Sequence, residues 1–233
     1  MTLDAVLLLD IGNRQIKTRW NNSCSAFDWH SEQRLRDFEN YLAELPLQSI
    51  VYTSSAPQTD SRVKEMLAPY AARQLTADDI PLRIKSTATG VDRLLASLAA
   101  AGMASTAAIV VDLGTAFTID VVDELQQFHG GAIGPGLGTQ IAALNAAAPH
   151  LAAPASDSSS IPATTAGAVY DGTHRALALS IQELVSVYKQ QLNAPVTVYV
   201  CGGDAEQLLP LLPKWKHKPD LVFDGMQLVI DSL

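Results

Sequence analysis

The chain has 233 residues, 48% hydrophobic and 17% charged, and a formal net charge of −8. That is enough apolar material for a sizeable core in one or two domains. The balance is too acidic, and too free of Lys/Arg runs, to give nucleic acid an electrostatic footprint.

Two cysteines, Cys24 and Cys201, give no reason to expect a disulfide framework or a thiolate metal site. The early run VLLL is too short for a signal core, and no stretch reaches the ~20 apolar residues of a membrane span. A soluble cytoplasmic protein is expected, with neither nucleic acid nor membrane as a partner.

In chain order, a strand is expected over Ala5 to Leu9, leading into the turn Asp10-Ile11-Gly12-Asn13. Glu32 to Glu44 carries Leu35, Phe38 and Leu42 at helical spacing. Ser49 to Tyr52 reads as a strand, and a helical stretch runs from Val91 to Ala101 behind Gly90. Strands follow at Ala108 to Val111 and Thr118 to Val122, flanking Asp112-Leu113-Gly114-Thr115. Gly130 to Gly136 reads as a glycine-dense loop held in one conformation by the fixed φ of Pro135, and a helix is expected over Gly138 to Ala147.

Ala153 to Thr164 is a Ser/Pro/Ala loop, long for a compact domain. Thr173 to Gln191 is the longest expected helix, with Leu177, Ile181, Leu184, Val185 and Tyr188 on one face. The strand Val196 to Val200 ends near Cys201 and Gly202-Gly203. A short helix over Ala205 to Leu212 and a strand at Asp220 to Phe223 complete the series. Strands alternating with helices predict an α/β fold. VLLLDIGN (6–13) returns as IVVDLGT (109–115), which predicts two similar halves, 1–105 and 106–233.

Each copy of the repeat is a buried strand ending in a turn with a carboxylate at its tip. Glycine bares the turn backbone, so N–H groups can approach phosphate oxygens. Asp10 and Asp112 can hold cations, and Thr115 adds a hydroxyl for a terminal phosphate. Lys17 lies within reach of a phosphate. One copy alone is as readily an ordinary hairpin turn; two copies favour a clamp for a metal-bound polyphosphate. Asp92 and Arg93 stand in the first turn of the helix behind Gly90, where a carboxylate is favoured by the helix dipole. They read either as a helix start or as a general base and an anion partner. Gly202-Gly203 reads equally as a strand-to-helix turn or as a surface against which adenine packs. The five histidines show no metal-ligand spacing, and only His129, beside the glycine-dense stretch, draws notice.

Taken in order, these motifs resemble the type III pantothenate kinases of the acetate and sugar kinase, heat-shock 70 and actin superfamily. The likeness rests on DIGN…K (10–17), TGVDR (89–93), VDLGTAFTID (111–120), GGAIGPGL (130–137), Thr165-x-x-Ala168-x-x-x-Gly172, CGGDA (201–205) and PDLVFDGM (219–226). It implies two ribonuclease H-like, actin-like ATPase domains with a cleft between them. It further implies ATP-dependent phosphorylation of pantothenate, the first step toward coenzyme A, by a homodimer that uses Mg²⁺ and a monovalent cation, K⁺ or NH₄⁺.

By position, Asp92 is the implied proton acceptor. Gly90, Val91, Asp92, Arg93 and Thr165 contact pantothenate. Asp10, Ile11, Gly12, Asn13, Arg14, Gln15, Ile16, Lys17 and Thr115 contact ATP, as do Gly202 and Gly203 for its adenosine. Asp10 serves Mg²⁺ and Asp112 the monovalent cation. The chain departs from the family pattern at Arg14, Phe117 and Thr164, and Arg83 to Lys85 stands where an aromatic is usual. Two other readings are a kinase of the same superfamily acting on a different small hydroxyl compound, and a non-enzymatic regulator that kept the fold.

Overall fold

Two runs of branched apolar residues, each buried on both faces, become inner strands of two separate sheets. The structure is a computed structural model that describes residues 6–28, 30–56, 60–156, 159 and 161–232. Its elements begin with β1 (Val6–Ile11), β2 (Gln15–Trp20), β3 (Ser23–Asp28), α1 (Glu32–Glu44), β4 (Ser49–Ser54), α2 (Asp60–Leu67), β5 (Ala72–Gln74), β6 (Arg83–Ile84) and α3 (Val91–Met103). They continue with β7 (Ala107–Leu113), β8 (Ala116–Val122), β9 (Gln127–Pro135), α4 (Leu137–Ala147), α5 (Thr165–Tyr170), α6 (Ala176–Gln190), β10 (Val196–Cys201), α7 (Ala205–Leu208), β11 (Lys216–His217) and α8 (Leu221–Asp231). The chain divides into two units, 1–82 with 87–99 and 220–233, and 83–86 with 100–219.

The first unit holds the sheet β3-β2-β1-β4-β5. β1 pairs antiparallel with β2 through the tip turn and parallel with β4. One face of this sheet presents Leu7, Leu9, Ile11, Ile16, Ile50 and Tyr52 to Leu35, Phe38 and Leu42 of α1 and to Val63. α1 has the bounds expected from its spacing, and the Ser31 side chain caps it by accepting from the Arg34 N–H.

Asp220 to Phe223, expected as a strand, begins α8 instead. The run LVF is β-rich locally, yet Leu221, Gly225 and Val229 recur every four residues and are all buried, which is a helical period. The helix belongs to the first unit, so the units depart from the expected division at 105/106 in three places: residues 220–233 fall in the first, and residues 83–86, where β6 pairs with β9, and 100–105 fall in the second. The physical ties of α8 are an ion pair from Arg19 Nη1 to Asp224 Oδ1 at 2.7 Å and close packing of Gly225 on α3.

The second unit holds the sheet β11-β10-β7-β8-β9-β6. β7 repeats the pattern of β1, pairing antiparallel with β8 across its tip turn and parallel with β10. Ile109, Val111, Leu113, Phe117, Ile119 and Val121 pack on Leu177, Ile181 and Val185 of α6. Of the stretch 130–136, expected as a loop, residues 130–135 are the second half of β9 and Gly136 is the N-cap of α4. Pairing with β8 along its length overrides the low strand propensity of glycine.

The helix expected from Thr173 to Gln191 is also corrected. It starts at Thr165 and passes through a π-turn at Asp171–Arg175 before α6. There the Thr173 hydroxyl donates to the Val169 carbonyl, four residues back, at 2.7 Å. Ala5 of the first expected strand, and residues 157, 158 and 160 of the expected long loop, lie outside the described residues.

Glycine to alanine inside a helix ordinarily stabilises by roughly 0.5–1 kcal/mol. At Gly225 the sign reverses, because a methyl group would lie 2.1 Å from the Leu95 carbonyl oxygen and 2.6 Å from its carbon, and backbone cannot yield cheaply. Gly225→Ala is expected to destabilise by about 1–3 kcal/mol in denaturant unfolding; a stabilised variant would contradict the packing of α8 on α3.

Candidate active site

In the first unit the tip turn is closed by a hydrogen bond from the Gly12 N–H to the Gln15 carbonyl at 3.0 Å. Asp10, next to last in β1, is buried at 8% exposure. Its neighbour across the antiparallel pair is Lys17, and Lys17 Nζ lies 3.9 Å from Asp10 Oδ2. Its neighbour across the parallel pair is Thr53, fully buried on β4. Asn13, Arg14 and Gln15 are exposed at the turn, while Ile11 and Ile16 point into the core. The turn therefore offers backbone and polar side chains to solvent on a rigid base, with one desolvated carboxylate behind them.

Gly90 and Val91 lead into α3 in the same unit. The Asp92 carboxylate folds back on the helix start, where Oδ1 accepts from the Arg93 N–H at 2.8 Å. A methyl group at Gly90 would lie 2.5 Å from that same oxygen, so the space beside Gly90 is where the carboxylate sits. Asp92 and Arg93 are both half-buried.

In the second unit three turns are tied together. The Gly114 N–H closes the β7–β8 turn on the Ala116 carbonyl at 3.2 Å. The Thr115 carbonyl accepts from the Gly136 N–H at 3.0 Å and from the Thr139 hydroxyl at 2.6 Å, which fixes the start of α4. The Asp204 N–H donates to the Leu113 carbonyl at 2.8 Å, and its carboxylate accepts from the Gly138 N–H at 3.2 Å. Gly202 has φ +95°, and a methyl group there would lie 2.4 Å from Leu113 backbone. Around Gly203 the space is open.

Asp112 and Thr118 are register partners on one face. The Thr118 hydroxyl donates to buried Asp120 at 3.1 Å, so its oxygen keeps lone pairs beside Asp112. Asp204, Thr118, Asp120 and Thr53 were not singled out from the sequence. For Asp204 the signal was available as a carboxylate behind Gly-Gly at a helix start; for the others it appears only in strand register.

Phe117, one of the departures from the family pattern, faces the core rather than the site. Its ring fills the space above Gly134, where a methyl group would lie 2.4 Å from it. Thr165 is exposed in the first turn of α5, and the Thr164 side chain caps that helix by accepting from the Gly167 N–H at 3.1 Å. His129 binds Asp123 at 2.7 Å, and Asp123 also accepts from the Leu125 and Gln127 N–H groups, so the pair fastens the β8–β9 hairpin.

His174, in the π-turn, is buried. It stacks on Tyr170 at 4.3 Å and lies 2.9 Å from the Thr173 hydroxyl through Nδ1. With that hydroxyl donating to Val169, Nδ1 carries the proton. Burial pushes the imidazole below its ordinary value, and the Asp204 charge opposes that shift. Among the described residues, no three His, Cys, Asp or Glu side chains cluster as a metal site, and no helix is long and apolar enough to cross a membrane.

The model of the type III pantothenate kinase family matches residues 6–187. A type III pantothenate kinase of Xanthomonas axonopodis pv. citri is 32% identical over 231 residues, covering 94% of each chain. Relatives of the same description in Gloeobacter violaceus and Stenotrophomonas maltophilia are 37% and 40% identical over 145 and 137 residues. The matches to these two cover 61% and 59% of this chain and span 63% and 56% of the relatives' length.

Among solved structures, a Campylobacter jejuni protein described as a Baf family transcriptional activator matches with a TM-score of 0.72. It is 21% identical over 97% of this chain and 98% of its own. An inorganic polyphosphate/ATP-glucomannokinase of Arthrobacter matches at 0.52 and 14% identity, over 98% of this chain and 99% of its own. At these identities the likeness is one of fold alone, a two-sheet α/β fold.

Two outcomes follow from this geometry. Gly202→Ala forces a positive φ on a residue with Cβ, which costs on the order of 1–3 kcal/mol, and adds a clash with Leu113. Thermal unfolding is expected several degrees lower, and an unchanged Tm would contradict the tie between the two turns. The lowered imidazole means that below about pH 6.5 the unfolded chain takes up a proton that native His174 refuses, so stability falls as pH falls through that window. His174→Gln is expected to flatten the Tm-against-pH curve between about pH 6.5 and 5; an equally steep curve would remove His174 as its source.

Proposed function

Because this chain belongs to the type III pantothenate kinase family, we propose that it moves the γ-phosphoryl group of ATP to the terminal hydroxyl of pantothenate, making 4'-phosphopantothenate for coenzyme A synthesis. The observation that carries the reading is the held carboxylate of Asp92. Phosphoryl transfer asks a protein mainly for positioning and charge stabilisation, with one group to take the hydroxyl proton. Asp92 Oδ1 is engaged by the Arg93 N–H, which fixes the side chain and assigns Oδ2 to the proton. Arg93 pairs with the pantothenate carboxylate, and Gly90, Val91 and Thr165 line that substrate.

Asp10 to Lys17 and Thr115 take the nucleotide phosphates, through turn N–H groups and Lys17. The open space at Gly203 supports adenosine packing beside Gly202 and Gly203. The donor set at each tip aspartate is oxygen, from Asp10 with Thr53 and from Asp112 with Thr118, which suits hard cations. On that basis Asp10 is assigned to Mg²⁺ and Asp112 to K⁺ or NH₄⁺, ions that offset phosphate charge when bound.

A homodimer is part of the same reading. The α5–α6 surface leaves Thr165, Ala168 and Gly172 exposed, together with Leu179 at 58% and Val187 at 41% exposure, which supports a covered apolar face. Cys24 and Cys201 are not joined in a disulfide, which suits a cytoplasmic enzyme.

A coupled assay is expected to show ADP release that requires pantothenate; release without it, or none at all, would favour another kinase or a regulator. Asp92→Asn is expected to lower kcat by roughly 10²- to 10⁴-fold with Tm preserved, and near-normal turnover would remove the assignment. Replacing K⁺ by Na⁺ at equal ionic strength is expected to reduce activity; if it does not, Asp112 has no such role.

A further inference from the structure

Two hydroxyls of the first unit, those of Thr53 and Ser97, are fully buried with no hydrogen-bond partner among the described residues, and Thr53, on β4, is the one beside the phosphate turn. A buried hydroxyl left without a partner is destabilising, and native structures keep few of them. Thr53 is the register partner of Asp10 across the parallel pair β1–β4, so the two side chains stand on the same face of the sheet. The opposite face is the apolar one, filled by Leu7, Leu9, Ile11, Ile50 and Tyr52. An orphaned hydroxyl therefore sits beside a desolvated carboxylate at the end of the strand that carries the phosphate turn.

The repeat supplies a comparison within the chain. In the second unit the position equivalent to Thr53 is the parallel register partner of Asp112 on β10, and it is Cys201. A buried thiol, a weaker donor and acceptor than a hydroxyl, fills that place. Packing in this architecture does not call for a hydroxyl there, yet the first unit has one. A threonine oxygen is a hard donor and acceptor, suited to the waters that Mg²⁺ keeps when one or two carboxylates hold it.

We propose that Thr53 is a positioning residue for the Mg²⁺–nucleotide site at Asp10. Its hydroxyl gains its partner when that site fills, by bonding a metal-bound water or a phosphate oxygen next to the carboxylate. The inference rests on the assignment of Asp10 to Mg²⁺ and goes beyond it by adding a residue from β4. The unsatisfied hydroxyl is retained for binding, at a cost to the stability of the empty protein.

Thr53→Val keeps the shape and removes the oxygen, and it separates the two roles. Calorimetric titration with a non-hydrolysable ATP analogue plus Mg²⁺ is expected to give a Kd about tenfold weaker than wild type, the usual loss when a partner supporting a metal site is removed. The same titration in EDTA is expected to differ less than about twofold from wild type, and the Tm of the unliganded variant is expected to be unchanged or raised. Thr53→Ser is expected to bring the Mg²⁺-dependent Kd back to within about threefold.

Wild-type affinity in Thr53→Val, or a Tm several degrees lower without ligand, overturns the inference. Asp10→Asn is the control. If it abolishes the Mg²⁺ dependence while Thr53→Val does not, the role of Thr53 fails alone; if it leaves that dependence intact, the assignment of Asp10 fails and the inference with it.

Discussion

A carboxylate buried at the end of an apolar strand is the constraint on which the first unit depends. Removing Asp10 from water costs several kcal/mol unless charges and hydrogen bonds nearby replace the lost hydration. β1 must be central for the strand to be buried, and it must end where Asp10 stands for a turn to follow. The antiparallel return through β2 brings Lys17 level with Asp10, at a distance that leaves the pair loose and the ammonium half-exposed. α1 on one face, and α8 held by Arg19 and Asp224 in the same unit, keep the sheet rigid behind the turn.

The second unit solves a different problem with the same strand and turn. Its glycine-rich segments are not loose. Thr115 receives two hydrogen bonds from the start of α4, and Asp204 is fastened both to Leu113 and to Gly138. Glycine at 202 permits the one positive φ that brings the β10 turn under Leu113. A turn fastened by its neighbours can present N–H groups in fixed directions, and preorganised dipoles cost no rearrangement when charge arrives.

Much of this was legible in the residues. Glu32–Glu44 is legible with its observed bounds because Leu35, Phe38 and Leu42 recur at helical spacing, which specifies a helix locally. β1 and β7 were legible because an unbroken branched run has nowhere to go but a buried strand. Illegible were the features that depend on pairing between distant segments. β3 is a largely exposed strand whose sequence, SCSAFD, hides the period, and β2, QIKTRW, buries fully only Ile16 and Thr18 among polar neighbours. β9 contains three glycines and becomes a strand only because β8 and β6 pair with it on either side. α8 opens on LVF, which is β-like until Gly225 and Val229 are seen packed on the same side. The site divides in the same way. Its turn residues and Asp92 stood out as motifs, whereas Thr53, Thr118 and Asp120 acquire meaning only through register.

Register also explains why two copies of one motif need not do the same work. Opposite Asp10 stands a cationic side chain, and beside it a hydroxyl. Opposite Asp112 stands neutral Thr118, whose proton is committed to a second carboxylate, Asp120, two residues along the same face; beside it stands a thiol. On the proposed assignments, the first site, with part of its compensating charge and a hydroxyl already present, would suit a strongly hydrated ion that arrives with phosphates, and the second, with a second carboxylate and oxygen lone pairs at its register neighbours, would suit an ion that gives up its water more readily. Sequence similarity at the tips conserves the turn and its carboxylate, and the neighbouring strands decide what that carboxylate is for.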